Sequence, residues 1–357
     1  MTKKIVFLGG DGVGPEVSSV TADLIGKMDL GLEILEPTCG EEAQEKLGNF
    51  FSDDTKKICD ESDAILFGAT GGISGRILGY LRWELDNYIN IRPIKYYPGV
   101  RSPLKDPEGI DFIILQEGIE GMYPGREGDI STLAEKWMDY RDIFGQGFGD
   151  HGDGKFAIRI VTDYRSRRFL RFSCEFTRKR KHGGYPGNLV CVTKANVLKI
   201  SDGLFFKIME EEIKHFPELI LEHYYVDDMA RRILRYPQDL NVVTTSNMFG
   251  DILSDEAAEM VGGLGLAASA CIGGRIPYFE PVHGSAPKYA GKNVINPTAM
   301  MLSAKMMLDH IGMKDAAKAL EEGITSVYKE GKYLTQDQGG SASTTEFTDA
   351  VAKKIGC

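Results

Sequence analysis

The chain has 357 residues, 42% hydrophobic and 26% charged, with 42 glycines and a net charge of -10. That length supports two domains or one large one around a sizeable core. The acidic balance, with no basic stripe interleaved with aromatics, excludes a nucleic-acid or anionic-membrane surface.

The six cysteines (Cys39, Cys59, Cys174, Cys191, Cys271 and Cys357) form no CxxC and no metal spacing. They are expected as free thiols in a reducing compartment. Met1-Thr-Lys-Lys runs directly into an apolar strand, leaving no secretory or membrane-spanning segment, so the cytoplasm is the expected location.

Ile5 to Leu8 predicts a strand, followed by Gly9 to Glu16 and a helical pattern through Val17, Val20, Leu24 and Ile25, with Pro15 in its first turn. Gly10, Gly12 and Gly14 look like a nucleotide-binding glycine turn, yet Pro15 stands where the third Gly of GxGxxG belongs. A tight strand-to-helix turn fits at least as well. Ile34 to Pro37 and Ala64 to Gly68 are further strands between helical stretches, a rhythm that predicts a parallel sheet covered by helices.

Gly71 to Gly79 is a flexible segment, after which Arg82 and Arg92 flank a short helix, and Pro93 forces Arg92 to be extended. Two guanidiniums bracketing one loop suit bidentate capture of carboxylates, a pair of surface arginines being the alternative. Asp111 to Gln116 is a strand. Pro124 to Lys155 has little apolar periodicity, and a loop of that length is usually functional or mobile.

Ala157 to Thr162 is read as a strand, Arg165 to Lys181 as a basic helix, and Asn188 to Thr193 as a buried strand ending in Lys194-Ala-Asn196. The helix Leu204 to Phe216 precedes a strand, Leu219 to Val226, that ends in Asp227-Asp228. The strand Leu240 to Thr245 then passes through a glycine turn into a helix expected over Ile252 to Val261.

On that helix Asp251, Asp255 and Glu259 recur every fourth residue, which stacks three like charges on one face. A divalent Mg²⁺ or Mn²⁺ would remove the repulsion, a solvated acidic face being the alternative. Strand ends carrying Lys194, Asp227 and Asp251 point to one cleft. Glu280 to Pro297 is a loop of small and polar residues, in which His283, Ser285 and backbone amides suit a nucleotide's ribose and phosphates. Helices at Thr298 to His310, Ala316 to Lys329 and Thr345 to Ile355 close the chain.

Taken in order, Gly10-Asp-Gly-Val-Gly-Pro-Glu16, Leu81-Arg82, Asn90-Ile-Arg-Pro93, Tyr123, Lys194-Ala-Asn196, Asp227, Asn247-Met-Phe-Gly-Asp-Ile-Leu-Ser-Asp255 and His283-Gly-Ser-Ala-Pro287 resemble the β-decarboxylating dehydrogenases. That family includes isocitrate, homoisocitrate, isopropylmalate and tartrate/malate dehydrogenases. Only the segment at about 124–155 has no counterpart, and it reads as an insertion.

The resemblance implies a two-domain α/β fold that is not a Rossmann fold. A large cofactor-binding domain would take 1–95 plus 258–357, and a smaller domain with the dimer interface 96–257. It also implies a homodimer with shared active sites, each taking Lys194 and Asp227 from the partner, and oxidative decarboxylation of a 2-hydroxy acid carrying a carboxylate on C3. By the same resemblance Asp227, Asp251 and Asp255 would hold Mg²⁺ or Mn²⁺. Lys194 would be the general base, Tyr123 the proton donor, and Asp227 would sit beside them at the catalytic centre.

Arg82, Arg92, Gln116, Arg76, Leu78 and Asn196 would contact substrate. His283, Gly284, Ser285, Ala286, Lys288, Tyr289, Ile295 and Asn296 would contact the nicotinamide cofactor. Glu259 falls outside these roles.

The departures bear on the substrate. Gln116 stands where the family carries a third arginine, and a neutral amide cannot form a charge-assisted fork. Arg76 and Leu78 stand where isocitrate enzymes place Ser and Asn; Arg76 would bind a distal acid or replace the missing guanidinium, and Leu78 resembles the apolar contact of isopropylmalate enzymes. Lys288 stands where NAD-preferring members place an Asp, which favours NADP over NAD, although Gln336 to Gly340 lacks the Tyr and Arg of some NADP pockets.

The expected substrate is a 3-substituted malate, isocitrate- or homoisocitrate-like, with isopropylmalate, tartrate or D-malate as alternatives. A regulatory subunit with impaired turnover is the remaining one.

Overall fold

The computed structural model describes residues 2–357. In chain order it begins with β1 (Lys4–Leu8), α1 (Gly14–Lys27), β2 (Glu33–Leu35), α2 (Gly40–Leu47), α3 (Asp53–Asp60) and β3 (Ala64–Phe67). A π-helical turn, Gly79–Glu84, leads to β4 (Ile89–Lys95) and β5 (Asp111–Glu117). An excursion of β6 (Glu127–Asp129), α4 (Ile130–Lys136) and β7 (Lys155–Ala157) precedes α5 (Asp163–His182) and β8 (Asn188–Thr193). Then follow α6 (Ser201–Glu212), β9 (Ile220–Tyr225), α7 (Val226–Arg235), β10 (Val242–Thr245) and α8 (Asn247–Met260). The chain ends in β11 (Ala268–Ile272), β12 (Tyr278–Pro281), α9 (Thr298–His310), α10 (Lys314–Glu330) and α11 (Thr344–Ile355).

One ten-stranded sheet runs β2-β1-β3-β12-β11-β4-β5-β10-β8-β9. Its two flanks are parallel, as the βαβ rhythm predicts. The centre is not: β4 runs antiparallel to both β11 and β5, and β11 antiparallel to β12. The parallel expectation is corrected there. Its cause is three strands the sequence hides, β4 beside a helical-looking arginine segment and β11 and β12 in a stretch of Ala, Gly and Pro. The expected strand 157–162 is also corrected. Strand pairing ends at Ala157, and only an isolated bridge between Gly121 and Ile160 follows.

Period-two alternation makes the central strands two-faced. Arg92 and Ile94 of β4 point toward α8, whereas Ile91 joins the core cluster on the opposite face with Leu302 and Phe279. Leu253, Ala257 and Met260 of α8 pack on Ile94, Phe112, Ile114 and Val243. At roughly 1.5–3 kcal/mol for each large apolar side chain buried, this packing fixes the helix that carries the acids.

The sheet is hydrogen-bonded without a break from β2 to β9, and the expected boundary at 257/258 falls inside α8. Residues 124–155 are not a structureless loop. β6 and β7 close them as an antiparallel pair, around α4 and the exposed Trp137, Met138, Ile143 and Phe144. All six cysteines are free and five are buried. Among the described residues no helix is long and apolar enough to cross a membrane.

Candidate active site

α8 begins directly after β10, with Ser246 as its first cap, so no glycine turn separates strand from helix. Gly250 lies inside α8 because the helix presses on β5: a Cβ there would stand 2.7 Å from the Cβ of Gln116. Helical spacing then puts Asp251 and Asp255 on one face, as expected, and leaves Glu259 exposed beyond them.

The two acids converge on Arg92. Its Nη2 donates to Asp251 Oδ1 at 2.8 Å, its Nη1 donates to Ser254 Oγ at 2.6 Å, and Nη1 also lies 3.6 Å from Asp255 Oδ1. The arginine is buried, whereas Asp251 and Asp255 keep open solvent-facing sides. Tyr123 donates its hydroxyl to Asp251 Oδ2 at 2.5 Å. Burial first, and this hydrogen bond second, push the Tyr123 phenol well above its ordinary range, so it stays protonated. Burial raises the Asp255 carboxyl, against the pull of Arg92.

Arg82 is the second guanidinium. Its Nε donates to the Tyr278 hydroxyl at 2.9 Å, and its Nη2 lies 3.5 Å from Glu280 Oε1. Glu280 is buried, and burial raises its carboxyl despite Arg82 and Arg92. Tyr278, Glu280 and Ser254 were not found as site residues from sequence. The signal for the first two was the alternation of Tyr278 and Glu280 along β12, and for Ser254 its position three residues after Asp251.

Gln116 is 1% exposed, lies beneath α8, and donates from Nε2 to Asn247 Oδ1 at 2.7 Å, while its Oε1 has no partner. Arg76 is exposed, its guanidinium 5.9 Å from the Phe50 ring. Leu78 is half-buried against the cluster of Ile77, Tyr80 and Leu81.

Lys194 follows β8, and Asp227 opens α7 after β9. The two bond each other, and Lys194 holds the Asp227 carboxyl below its usual range. Within one chain Asp227 does not join Asp251 and Asp255: among the described residues no three Asp, Glu, His or Cys side chains cluster as metal ligands. Strand order accounts for the distance of Asp227, since β9 is two strands from β10, about 10 Å at ordinary strand spacing. Asn196 is exposed.

For a divalent cation, the chain thus offers the two carboxylates of α8 with accessible oxygens. That fits Mg²⁺ or Mn²⁺, which take one or two protein carboxylates and fill the rest with water and substrate oxygens.

The cofactor-binding stretch is held against the glycine turn. Val13 N donates to Ser285 O at 2.9 Å and Ser285 N to Thr70 O at 3.1 Å. A Cβ on Gly12 would sit 2.1 Å from Ser285 O, and one on Gly71 2.1 Å from Ser285 Oγ. The glycines therefore admit the 283–290 loop. Ala286 takes a left-handed φ of 38°.

His283 has its Nδ1 3.1 Å from Gly284 O, and its buried Nε2 has no partner; burial lowers its pKa and keeps it neutral. An orphaned neutral imidazole fits a hydroxyl or phosphate oxygen of a nucleotide. Lys288 and Tyr289 are exposed. Ile295 is half-buried, and Asn296 is buried, donating to Asp337 Oδ2 at 2.9 Å and to the Tyr328 hydroxyl at 3.1 Å.

A family model for isocitrate/isopropylmalate dehydrogenase matches residues 4–351. The chain is 40% identical over 352 residues to the 3-isopropylmalate/3-methylmalate dehydrogenase of Methanocaldococcus jannaschii, covering 99% of this chain and 98% of that protein. It is 39% identical to the 3-isopropylmalate dehydrogenase of Archaeoglobus fulgidus, over 99% of each. Among solved structures, the isocitrate dehydrogenase of Methylococcus capsulatus superposes with a TM-score of 0.86 at 30% identity, covering 99% of both chains. Matched over nearly its whole length by the family model, by these relatives and by a solved structure of the same fold, the chain belongs to the isocitrate/isopropylmalate dehydrogenase family and is a decarboxylating hydroxy acid dehydrogenase.

Proposed function

We propose that the protein oxidises and decarboxylates a 3-alkylmalate, in a homodimer whose sites are shared between chains, using Mg²⁺ or Mn²⁺ and NADP in preference to NAD. The observation that carries the substrate is the segment before Arg82: it offers the half-buried Leu78, while Arg76 points out over Phe50. An apolar substituent on C3 suits that surface better than the distal carboxylate of a tricarboxylate. The curated relatives named for 3-isopropylmalate and 3-methylmalate support the same choice over the isocitrate-like one.

When bound, a divalent cation would supply Lewis acidity toward the C2 oxygen, and a nicotinamide would supply the acceptor for the C2 hydride. Arg82 and Arg92 orient the two malate carboxylates through charge-assisted forks. Lys194, contributed by the partner chain together with Asp227, accepts the C2 hydroxyl proton. After CO₂ departs, Tyr123 donates its phenolic proton to C3. Asp251 and Asp255 would hold the cation, and His283, Ser285 and Lys288 would hold the dinucleotide, Lys288 supplying a charge suited to a 2′-phosphate. In this reading the segments 1–95 plus 258–357 and 96–257 form the two walls of the cleft, and β4 is its floor.

The test is incubation with Mn²⁺, either dinucleotide and a panel of 3-methylmalate, 3-isopropylmalate, malate, tartrate, isocitrate and homoisocitrate, reading reduced nicotinamide. Turnover of the 3-alkylmalates is expected. Turnover of isocitrate or homoisocitrate alone would replace the substrate assignment.

A further inference from the structure

Arg159 belongs to none of the motifs that mark the family, yet it joins two elements of the site. Its Nη1 donates to Asp202 Oδ1 at 2.5 Å, and its Nη2 donates to Ser246 Oγ at 3.1 Å. The other oxygen of Asp202 accepts the backbone N–H of Lys194 at 2.5 Å. Ser246 is the cap of α8, five residues before Asp251. Three hydrogen bonds thus run from the Lys194 backbone through Asp202 and Arg159 to the helix that carries Asp251 and Asp255.

The bridge is largely shielded from water. The Arg159 side chain is 13% exposed and that of Asp202 2%, and the guanidinium lies 5.5 Å from the Phe249 ring. In such surroundings charge-assisted bonds are short, strong and costly to leave half-made. The need for a strut is local. Beyond Lys194 the chain makes one tight turn, with Val197 N and Leu198 N donating to Lys194 O, and then runs exposed through Ile200. Asp202 anchors that turn from the start of α6, and only Arg159 ties Asp202 to Ser246 at the neighbouring strand end.

We propose that Arg159 is a positioning residue for the reaction, a strut that sets the Lys194 turn against the metal-bearing helix α8. The inference rests on the roles proposed above for Lys194 and Asp251. It also goes beyond them: if Lys194 serves the partner's site while α8 serves its own, the strut links the two centres of the dimer inside each chain. The guanidinium fork is required, because an ammonium cannot span both partners and will keep the carboxylate in preference to the hydroxyl.

Arg159→Ala and Arg159→Lys test this in the full-length protein, with two readouts: Mn²⁺ affinity without substrate, from the paramagnetic resonance of free Mn²⁺, and kcat at saturating Mn²⁺. Losing one charge-assisted bond corresponds to about tenfold in either quantity. Arg159→Ala is expected to lower both by about that factor. Arg159→Lys is expected to restore kcat to within about threefold while Mn²⁺ affinity stays about tenfold weak.

If Arg159→Ala fails to fold because Asp202 is left buried and unpaired, Arg159→Lys carries the test alone. Wild-type Mn²⁺ affinity in Arg159→Lys overturns the strut, as does wild-type kcat in a folded Arg159→Ala. Lys194→Ala and Asp251→Asn are the controls: a Lys194→Ala enzyme with normal kcat overturns the reading of the site itself, whereas a dead Lys194→Ala beside unaffected Arg159 variants overturns only the strut.

Discussion

Arg92 donates to Asp251 at 2.8 Å from a side chain that is only 6% exposed, and the same guanidinium lies 3.6 Å from Asp255. The acids on α8 are therefore neutralised from within the chain before any cation arrives. Arg92 both shapes the carboxylate pair and competes with a metal for it. Replacing it separates the two effects. Arg92→Gln is expected to bind Mn²⁺ at least as tightly as the parent, since the competing charge is gone. Its KM for the hydroxy acid is expected to rise by about tenfold or more, since a charge-assisted fork is lost. Titration of Mn²⁺ and steady-state kinetics check the pair; an unchanged KM would remove Arg92 from the substrate contacts.

Tyr123 tests the second half of the reaction. Burial and the bond to Asp251 hold its phenol protonated, so it can supply a proton at any working pH. Tyr123→Phe keeps the ring and removes the proton. Loss of one general acid commonly costs 10²- to 10⁴-fold, so kcat is expected to fall by about a hundredfold or more. Because Asp251 keeps a solvent-facing side, thermal unfolding is expected to stay close to the parent's. A kcat within about threefold of the parent's would exclude Tyr123 as the donor.

The acid-bearing helix α8 was legible in the sequence because its stretch obeys two periodicities at once, an apolar strand and acids at every fourth residue. Lys194 and Asp227 were equally visible as polar residues closing apolar strands. What the sequence hid was set by tertiary contact. Gly250 read as a turn residue, but it is a helical glycine required by Gln116 beneath it. Gly12 read equally well as part of a nucleotide-binding turn and as a tight strand-to-helix turn, and the contact its missing Cβ makes room for, with Ser285 O, lies far along the chain. β11 and β12 were missed because Ala, Gly and Pro carry little strand signal, and Tyr278 and Glu280 were missed with them. Arg76 read equally well as a substitute for the third arginine and as a solvent-facing loop residue, and its side chain is exposed and stands 5.9 Å from the Phe50 ring.

The proposed preference for NADP rests on Lys288, which is exposed on the loop that follows His283 and Ser285. A lysine suits the 2′-phosphate of NADP, and a carboxylate there would repel that phosphate while accepting the 2′-hydroxyl of NAD. Lys288→Asp is expected to shift the ratio of kcat/KM between the dinucleotides toward NAD by about tenfold or more, the value of one charge-assisted contact. The comparison is made at saturating hydroxy acid and metal. An unchanged ratio would sink the assignment of Lys288 to the 2′-phosphate.

Glu117 gives the fold a pH dependence whose sign can be worked out. It sits at the end of β5, 3% exposed, and accepts the backbone N–H groups of Ile119 at 3.1 Å and Glu120 at 2.7 Å. Burial nevertheless pushes its carboxyl up to about 7 from 4.5, outweighing those bonds, with Glu120 adding to the rise. The folded state thus holds a proton that the unfolded chain gives up at lower pH, so the stabilising difference is complete below about 4.5 and is lost as pH rises through about 7.

At 1.36 kcal/mol per unit, the loss is on the order of 3 kcal/mol. Glu117→Gln removes the titration while leaving an amide oxygen to accept one of the two N–H groups. Urea unfolding at pH 5 and pH 8 is expected to show the parent losing more stability than Glu117→Gln between the two conditions, by about 2–4 kcal/mol. Equal losses in both proteins would mean that Glu117 is ionised throughout, held by its two backbone donors.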